Sequence, residues 1–254
     1  MKKILLTVIA GIIAISSAGA EDWKITGFIG ASYSETAVSD NWAGGEVDVR
    51  NWMIRGEGSA EKDLEKTNWL NTSKLEFGKA SLGDAPEQEN ADLIDIDSVY
   101  SYKMNDYVNP YLAVTADSQF TELFDPAVYG ESAGIGWLII SRQDQNLKTR
   151  TGLAFRQTAA SDIDTVSNTG AEWITNYDLL LNEYAKFVSE LKMFSAFDAS
   201  VDTRWDSSLY VKLGKYLTAQ VGYLLVNPGV PGMDFEDTVQ TRLTFGLGFS
   251  YNIF

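Results

Sequence analysis

The closing segment of the chain carries its clearest pattern. Val239, Leu243, Phe245, Leu247, Phe249, Tyr251 and Ile253 share one parity, and Gln240, Arg242, Thr244, Gly246, Gly248, Ser250 and Asn252 share the other. Alternation sustained over about fifteen residues exceeds the roughly five or six of an ordinary soluble strand. A strand that crosses a bilayer needs about nine to eleven tilted residues, apolar toward lipid and polar toward the lumen. The same texture recurs near 23–37, 47–61, 67–82, 92–104, 107–121, 132–142, 147–158, 172–185, 188–198, 204–213, 216–227 and 239–253. These segments predict an all-β fold, an antiparallel up-and-down transmembrane β-barrel of about 12 strands, an even number as single-chain barrels prefer. The Leu-rich stretch 178–197 also admits a helical reading.

The connections alternate in length, which a soluble sandwich has no reason to do. Short ones fall at Asp63–Lys66, Asn105–Asp106, Gln143–Asn146, around Phe187, and at Gly214–Lys215. Longer ones fall at 39–46, 83–91, 122–131, 159–171 and 228–238, with a brief one at 199–203. Short periplasmic turns and long external loops are the habit of outer-membrane barrels. Trp23, Trp69, Trp173 and Trp205 are expected to open their strands, and Tyr107, Tyr216, Tyr251 and Phe254 to lie at periplasmic ends, as interfacial girdles would.

Composition narrows the chemistry. In 254 residues there is no cysteine and no histidine, which excludes disulfides, thiolate zinc sites, cysteine nucleophiles, Ser-His-Asp triads and imidazole metal ligands. A net charge of −15 argues against nucleic acid as a partner. Residues 1–20, with Lys2 and Lys3 before an apolar run and Ala18-Gly19-Ala20 at its end, have the layout of a secretory signal peptide cleaved after Ala20. Residues 21–254 would then form one barrel domain in an outer membrane, with membrane lipids and the barrel-assembly machinery as partners.

Acidic residues concentrate in the expected outer connections. Asp40, Glu46, Asp84, Glu87, Glu89, Asp92, Glu122, Asp125, Glu131, Asp162, Asp164, Glu172, Asp198, Asp202, Asp234, Glu236 and Asp237 lie in or beside them, with no Lys or Arg in those segments. Such a rim attracts cations over roughly a Debye length of about 8 Å, and divalent cations at the acidic loops are candidate partners; the plainer role of acidic loops is to keep a surface solvated. By parity, Asp95 and Asp97 face the lumen opposite Ile94, Ile96, Tyr100 and Tyr102, and Lys148, Arg150, Arg156 and Arg242 join them. Charges placed this way either set ion preference in a pore or pair across the lumen and fill it.

No motif carries catalysis. Asp95-x-Asp97 and Asp162-x-Asp164 suggest metal sites, but the first pair lacks the extra ligands and glycine turn of a calcium loop, and Glu87, Glu89 and Asp92 are the better candidate for loose calcium binding. Gly246-x-Gly248 has no helix behind it to hold phosphate. Asn71-Thr72-Ser73 spells a glycosylation triplet inside a strand. Ser73-Lys74 is a serine beside a lysine without the Ser-x-x-Lys spacing. No enzyme and no cofactor is indicated, and no metal site is assigned.

Ser39-Asp40-Asn41-Trp42-Ala43-Gly44-Gly45-Glu46, Thr67-Asn68-Trp69-Leu70-Asn71 with Leu75-Glu76-Phe77-Gly78, the run Asp97–Lys103 and Gly246–Tyr251 together resemble an uncharacterised outer-membrane β-barrel family. This is a domain of unknown function from Bacteroidetes-like Gram-negative bacteria, similar in style to salt-induced outer-membrane proteins. The resemblance implies fold and location and no activity. One departure is that Phe254 is terminal while Ile253 holds the lipid-facing parity. Two functions fit the barrel reading, a narrow, cation-preferring passive pore or a barrel with a packed lumen whose loops bind or adhere, and a soluble periplasmic β-protein is a third reading of the sequence. For the second, Trp42 between Asn41 and the Gly44-Gly45 pair is the candidate contact.

Overall fold

A computed structural model describes residues 23–36, 49–83, 85–161, 163–197, 201–228, 238–251 and 253. The predicted export signal, and the loop candidates Trp42, Gly44 and Gly45, lie outside the described residues. Twelve strands run in order: β1 (Lys24–Thr36), β2 (Val49–Asp63), β3 (Thr67–Leu82), β4 (Gln88–Tyr102), β5 (Val108–Ser118), β6 (Ala127–Ser141), β7 (Gln145–Ala160), β8 (Ile163–Asn182), β9 (Ala185–Ala196), β10 (Val201–Lys212), β11 (Leu217–Asn227) and β12 (Gln240–Tyr251). Each pairs antiparallel with its sequence neighbours, and β1 pairs with β12 to close the barrel. The Leu-rich stretch is not helical: it forms the end of β8 and all of β9, on either side of a two-residue turn.

Closure removes every sheet edge, and the side chains sort as a bilayer would demand. Leu243, Phe245, Leu247, Phe249 and Tyr251 of β12 all face outward and are exposed, as are Leu112 and Val114 of β5 and Leu153 and Phe155 of β7. The deepest side chains are polar: Glu76 and Thr218 are the largest that are fully buried. Polar residues inside and apolar residues outside invert the distribution of a soluble protein.

At one end of the barrel every connection is short; at the other, 37–48, 119–126 and 228–239 are longer, while 83–87, 161–162 and 197–200 are as short as the turns. Tyr102, Tyr107, Tyr184, Tyr216 and Tyr251 stand exposed around the turn end, and Trp23 packs edge-on against Trp69 there at 5.5 Å. Trp173 and Trp205 face outward, but Trp173 sits midway along β8 rather than at its start, because β8 begins at Ile163 and not near 172. Strands β4 and β6 likewise begin earlier than their apolar pattern suggests, which trims three outer connections to 83–87, 119–126 and 161–162. The β8–β9 turn falls at Glu183–Tyr184, and Phe187 lies within β9.

Among the described residues the β1–β12 seam has the shortest ladder. Its described pairs run from Gly27↔Tyr251 to Ala31↔Leu247, although β1 stays paired to β2 as far as Thr36. Phe28 seals this seam from inside. Its buried ring lies so close over Gly30 and Gly248 that a Cβ on either glycine would meet it, and it stacks edge-on against Tyr210 at 5.4 Å.

Candidate functional site in the lumen

Period-two alternation sends every second residue of every strand inward, so the lumen collects polar side chains from the whole ring. The inward row of β2 contributes Arg55 and Glu57, that of β3 Lys74 and Glu76, and that of β4 Asp95 and Asp97. From the far side come Glu190 and Lys192 of β9 and Asp206 of β10.

These groups join into one chain of alternating sign. Arg242 pairs with Glu76, Glu76 with Arg55 at 3.1 Å, and Arg55 with Asp206 at 3.2 Å. Asp206 then meets Lys74 at 3.4 Å and Lys74 meets Glu190 at 2.7 Å. Glu190 approaches Lys192 at 3.7 Å, and Lys192 ends on Asp95 at 2.9 Å. The chain crosses the lumen, because β3 and β9 stand on opposite sides of a twelve-strand ring. Glu57 attaches to it through Arg55 and the Tyr210 hydroxyl. Removing charges from water is repaid only where each finds a partner, and alternation along the chain gives most members two.

A second knot lies beside the first. Arg150 donates to Asp97 at 2.7 Å and lies 3.6 Å from Glu172. Glu172 also accepts from the hydroxyls of Tyr111 at 2.9 Å and Ser132 at 2.7 Å. Another layer is part apolar: the Arg156 guanidinium sits 3.9 Å from the centre of the Phe194 ring and 3.4 Å from Asp202, with Phe194 packed against Ala154 and Ala196. Stacking a guanidinium on an aromatic face supplies cation–π attraction.

From the turn end a vestibule of about 460 Å³ reaches inward past Lys148, Lys186 and Asp178 and stops at Lys74, Asp97, Arg150, Glu190 and Tyr210. A second cavity of about 390 Å³ shares Lys148, Arg150 and Asn176 with it.

All six lumen charges expected from parity face the lumen. Asp95, Asp97, Arg150, Arg156 and Arg242 are held in the pairs described, and Lys148 lies 3.9 Å from Glu61 at the vestibule wall. Sequence parity did not single out Arg55, Lys74, Glu76, Glu190, Lys192 or Asp206, although each occupies the polar parity of its strand. One acid expected in the outer rim lies elsewhere, Glu172, which is buried in the lumen, while Asp202 at the loop end of β10 pairs with Arg156. Glu89, Asp92, Glu131 and Asp164 belong to strands rather than loops. Asp92 accepts the backbone N–H groups of Phe120 at 2.6 Å and Thr121 at 3.0 Å. Among the described residues no three carboxylates gather as a metal-holding group.

The sequence profile of a family described as "Protein of unknown function, DUF481" matches residues 50–251, a span that starts after the Asn41–Glu46 segment. No curated protein matches the chain. Among solved structures, the NanC porin is 11% identical at a TM-score of 0.48, covering 90% of this chain and 100% of that one. An outer membrane channel from Pseudomonas putida F1 is 9% identical at 0.45, covering 90% and 94%. The translocator domain of the autotransporter NalP from Neisseria meningitidis is 11% identical at 0.41, covering 99% and 96%. At such distances none of them carries a function to this chain.

Proposed function

The chain belongs to the DUF481 family of proteins of unknown function, and from its own geometry we propose that it is a non-enzymatic outer-membrane barrel whose lumen is a narrow passage for small ions. Membrane location is supported by the closed ring, the apolar outward rows and the exposed aromatics at the turn end. Export through a signal peptide cleaved after Ala20 belongs to the same reading.

The observation that carries the reading is the Lys74–Glu190 pair, 2.7 Å apart between opposite strands. A lumen bridged by direct side-chain contact stops solutes of sugar size, and the vestibule of about 460 Å³ that reaches the bridge supports entry of water and small ions. The net charge of −15 and the acids of the loop end support cations as the preferred ions. Asp95, Asp97, Lys148, Arg150, Arg156 and Arg242 would be the charges an ion passes.

The test is single-channel conductance of the refolded mature protein in a planar bilayer under a potassium chloride gradient, joined to swelling of liposomes in sugars. Small cation-selective steps without sugar-driven swelling are expected; anion selectivity, or free sugar entry, would sink the reading. A second reading is favoured by the near-complete burial of Arg55, Glu76, Asp95 and Asp206: a packed barrel that acts through its loops. It predicts an electrically silent but correctly inserted protein.

A further inference from the structure

The connection between β5 and β6 leans outward over the barrel wall. Phe77 on β3 and Trp52 on β2 belong to the outward rows, alternating with the buried Glu76 and Met53. Trp52 packs edge-on against Phe77 at 5.8 Å, and Phe77 against Phe120 of the loop at 6.4 Å. An aromatic run thus climbs the outer wall and passes directly into residues 119–126. Asp92, on the outward row of β4, holds the Phe120 and Thr121 N–H groups and the Thr121 hydroxyl. The Ser118 hydroxyl accepts the Phe124 N–H at 2.8 Å, which keeps the loop close to the end of β5.

The fixed loop presents apolar side chains. Leu123 is 44% exposed and Phe124 60%, and Phe124 has φ of 65°, a conformation bulky residues rarely adopt and one that persists only where the surroundings impose it. Polar residues would serve an aqueous loop tip at lower cost.

We infer that Leu123 and Phe124 form an anchor for the lipid surface, seated at the headgroup–acyl boundary of the leaflet at the loop end. The occupant follows from continuity: the Trp52–Phe77–Phe120 run extends the apolar wall to the loop without a break, and Tyr33 and Tyr129 stand exposed toward the same end. Amphipathic surfaces that bind bilayers bury their apolar side by about 5–10 Å at this boundary. The inference rests on the membrane reading proposed above.

The absence of cysteine allows a single reporter at any chosen position. Bimane is attached to Phe124→Cys, to Leu123→Cys and, as a reference in the apolar belt, to Phe245→Cys, each in the full mature barrel. The proteins are reconstituted in phosphatidylethanolamine/phosphatidylglycerol vesicles containing lipid spin-labelled at carbon 5 or carbon 12. The anchor predicts blue-shifted emission at 124 and 123, lost with the carbon-5 label more than with the carbon-12 label and spared by aqueous iodide. Iodide quenching at 123 and 124, with lipid quenching at 245, would overturn the anchor and leave the membrane reading standing. Iodide quenching at all three positions would overturn the membrane reading itself. Cross-linking between two chains through position 124 would replace lipid by a second copy as the occupant.

Discussion

The Lys74 ammonium on β3 and the Glu190 carboxylate on β9 meet at 2.7 Å across the full width of the barrel. Each has a further partner, Asp206 for Lys74 and Lys192 for Glu190. Lys74→Met therefore leaves Glu190 with Lys192 and Asp206 with Arg55, and removes one crossing of the lumen while the Lys192–Asp95 contact still spans it. Breaking one side of a buried pair costs about 3–5 kcal/mol, and replacing both sides by apolar groups of similar volume is often neutral. The expected pattern is a large loss of stability for Lys74→Met and for Glu190→Met singly, and recovery of most of it in the double variant. Denaturant unfolding of the refolded barrel measures all three as a double-mutant cycle.

The same substitutions carry a transport prediction of opposite sense. Lys74→Ala with Glu190→Ala removes one of the two contacts that span the lumen here, the Lys192–Asp95 contact being the other, and widens the passage, so conductance should rise while the barrel persists. Unchanged conductance in a correctly inserted double variant would show that another layer, such as Arg156 on Phe194, sets the limit.

At the seam, a Cβ on Gly248 would fall on the Ile29 carbonyl oxygen and the Gly30 Cα as well as on the Phe28 ring. Backbone cannot yield as a flexible side chain can. Overpacking of this kind costs about 1–3 kcal/mol, so Gly248→Ala should lower the unfolding midpoint. Phe28→Ala, which removes the buried seal instead of crowding it, should cost about 3–5 kcal/mol. Both are read from unfolding monitored by tryptophan fluorescence.

The outward rows give a test of the lipid environment. Leu247 is exposed between Phe245 and Phe249, and Leu247→Arg should cost about 2–4 kcal/mol in a bilayer if it lies near the midplane. Glu131 is outward and exposed beside Val114 and Phe155, toward the loop end. Glu131→Leu should change stability by no more than about 1 kcal/mol, because the penalty for charge fades near the interface. Equal effects at both positions would argue against a bilayer around this wall.

In the outer connections, Asp125 accepts the Ser161 N–H at 2.8 Å and the Ser161 hydroxyl, and these bonds hold its carboxyl below the usual carboxylate range. A depressed value means that the contact is complete above the ordinary carboxylate pKa and is lost as pH falls through the lowered one. The Ser161 amide resonance should therefore stay in place down to mildly acidic pH and shift only in strong acid. Asp125→Asn, which cannot ionise, should flatten the titration.

Much of this architecture was legible in residue parity. The closing strand shows why: β12 stands in the apolar belt along most of its length, so Leu243 to Tyr251 alternate without interruption. The beginning of β8 was illegible for the converse reason. Asp164, Thr165, Val166 and Ser167 are all exposed, and a hairpin with water on both faces has no cause to alternate. Parity also assigned Asp95, Asp97, Arg150 and Arg242 to the lumen. It could not pair Lys74 with Glu190, because partners on opposite strands depend on the stagger accumulated around half the ring. Glu172 was misread as a rim acid because residues 163–171 of the apparent loop 159–171 are the outer half of β8.

The short ladder between β1 and β12 also bears on the order in which the molecule comes together. Every other junction links strands that are neighbours in sequence, whereas Gly27↔Tyr251 joins the first strand to the twelfth. Bringing ends together across more than 200 residues costs about 5 kcal/mol of chain entropy by the logarithmic law, and only a few described pairs between Gly27 and Ala31 offset it. An open curved sheet from β1 to β12 would thus form first, with closure as the slowest step. The same junction would be the first to part when the barrel is strained, and the Phe28 ring, which turns a weak line of hydrogen bonds into a packed one, is the side chain that decides how long it stays shut.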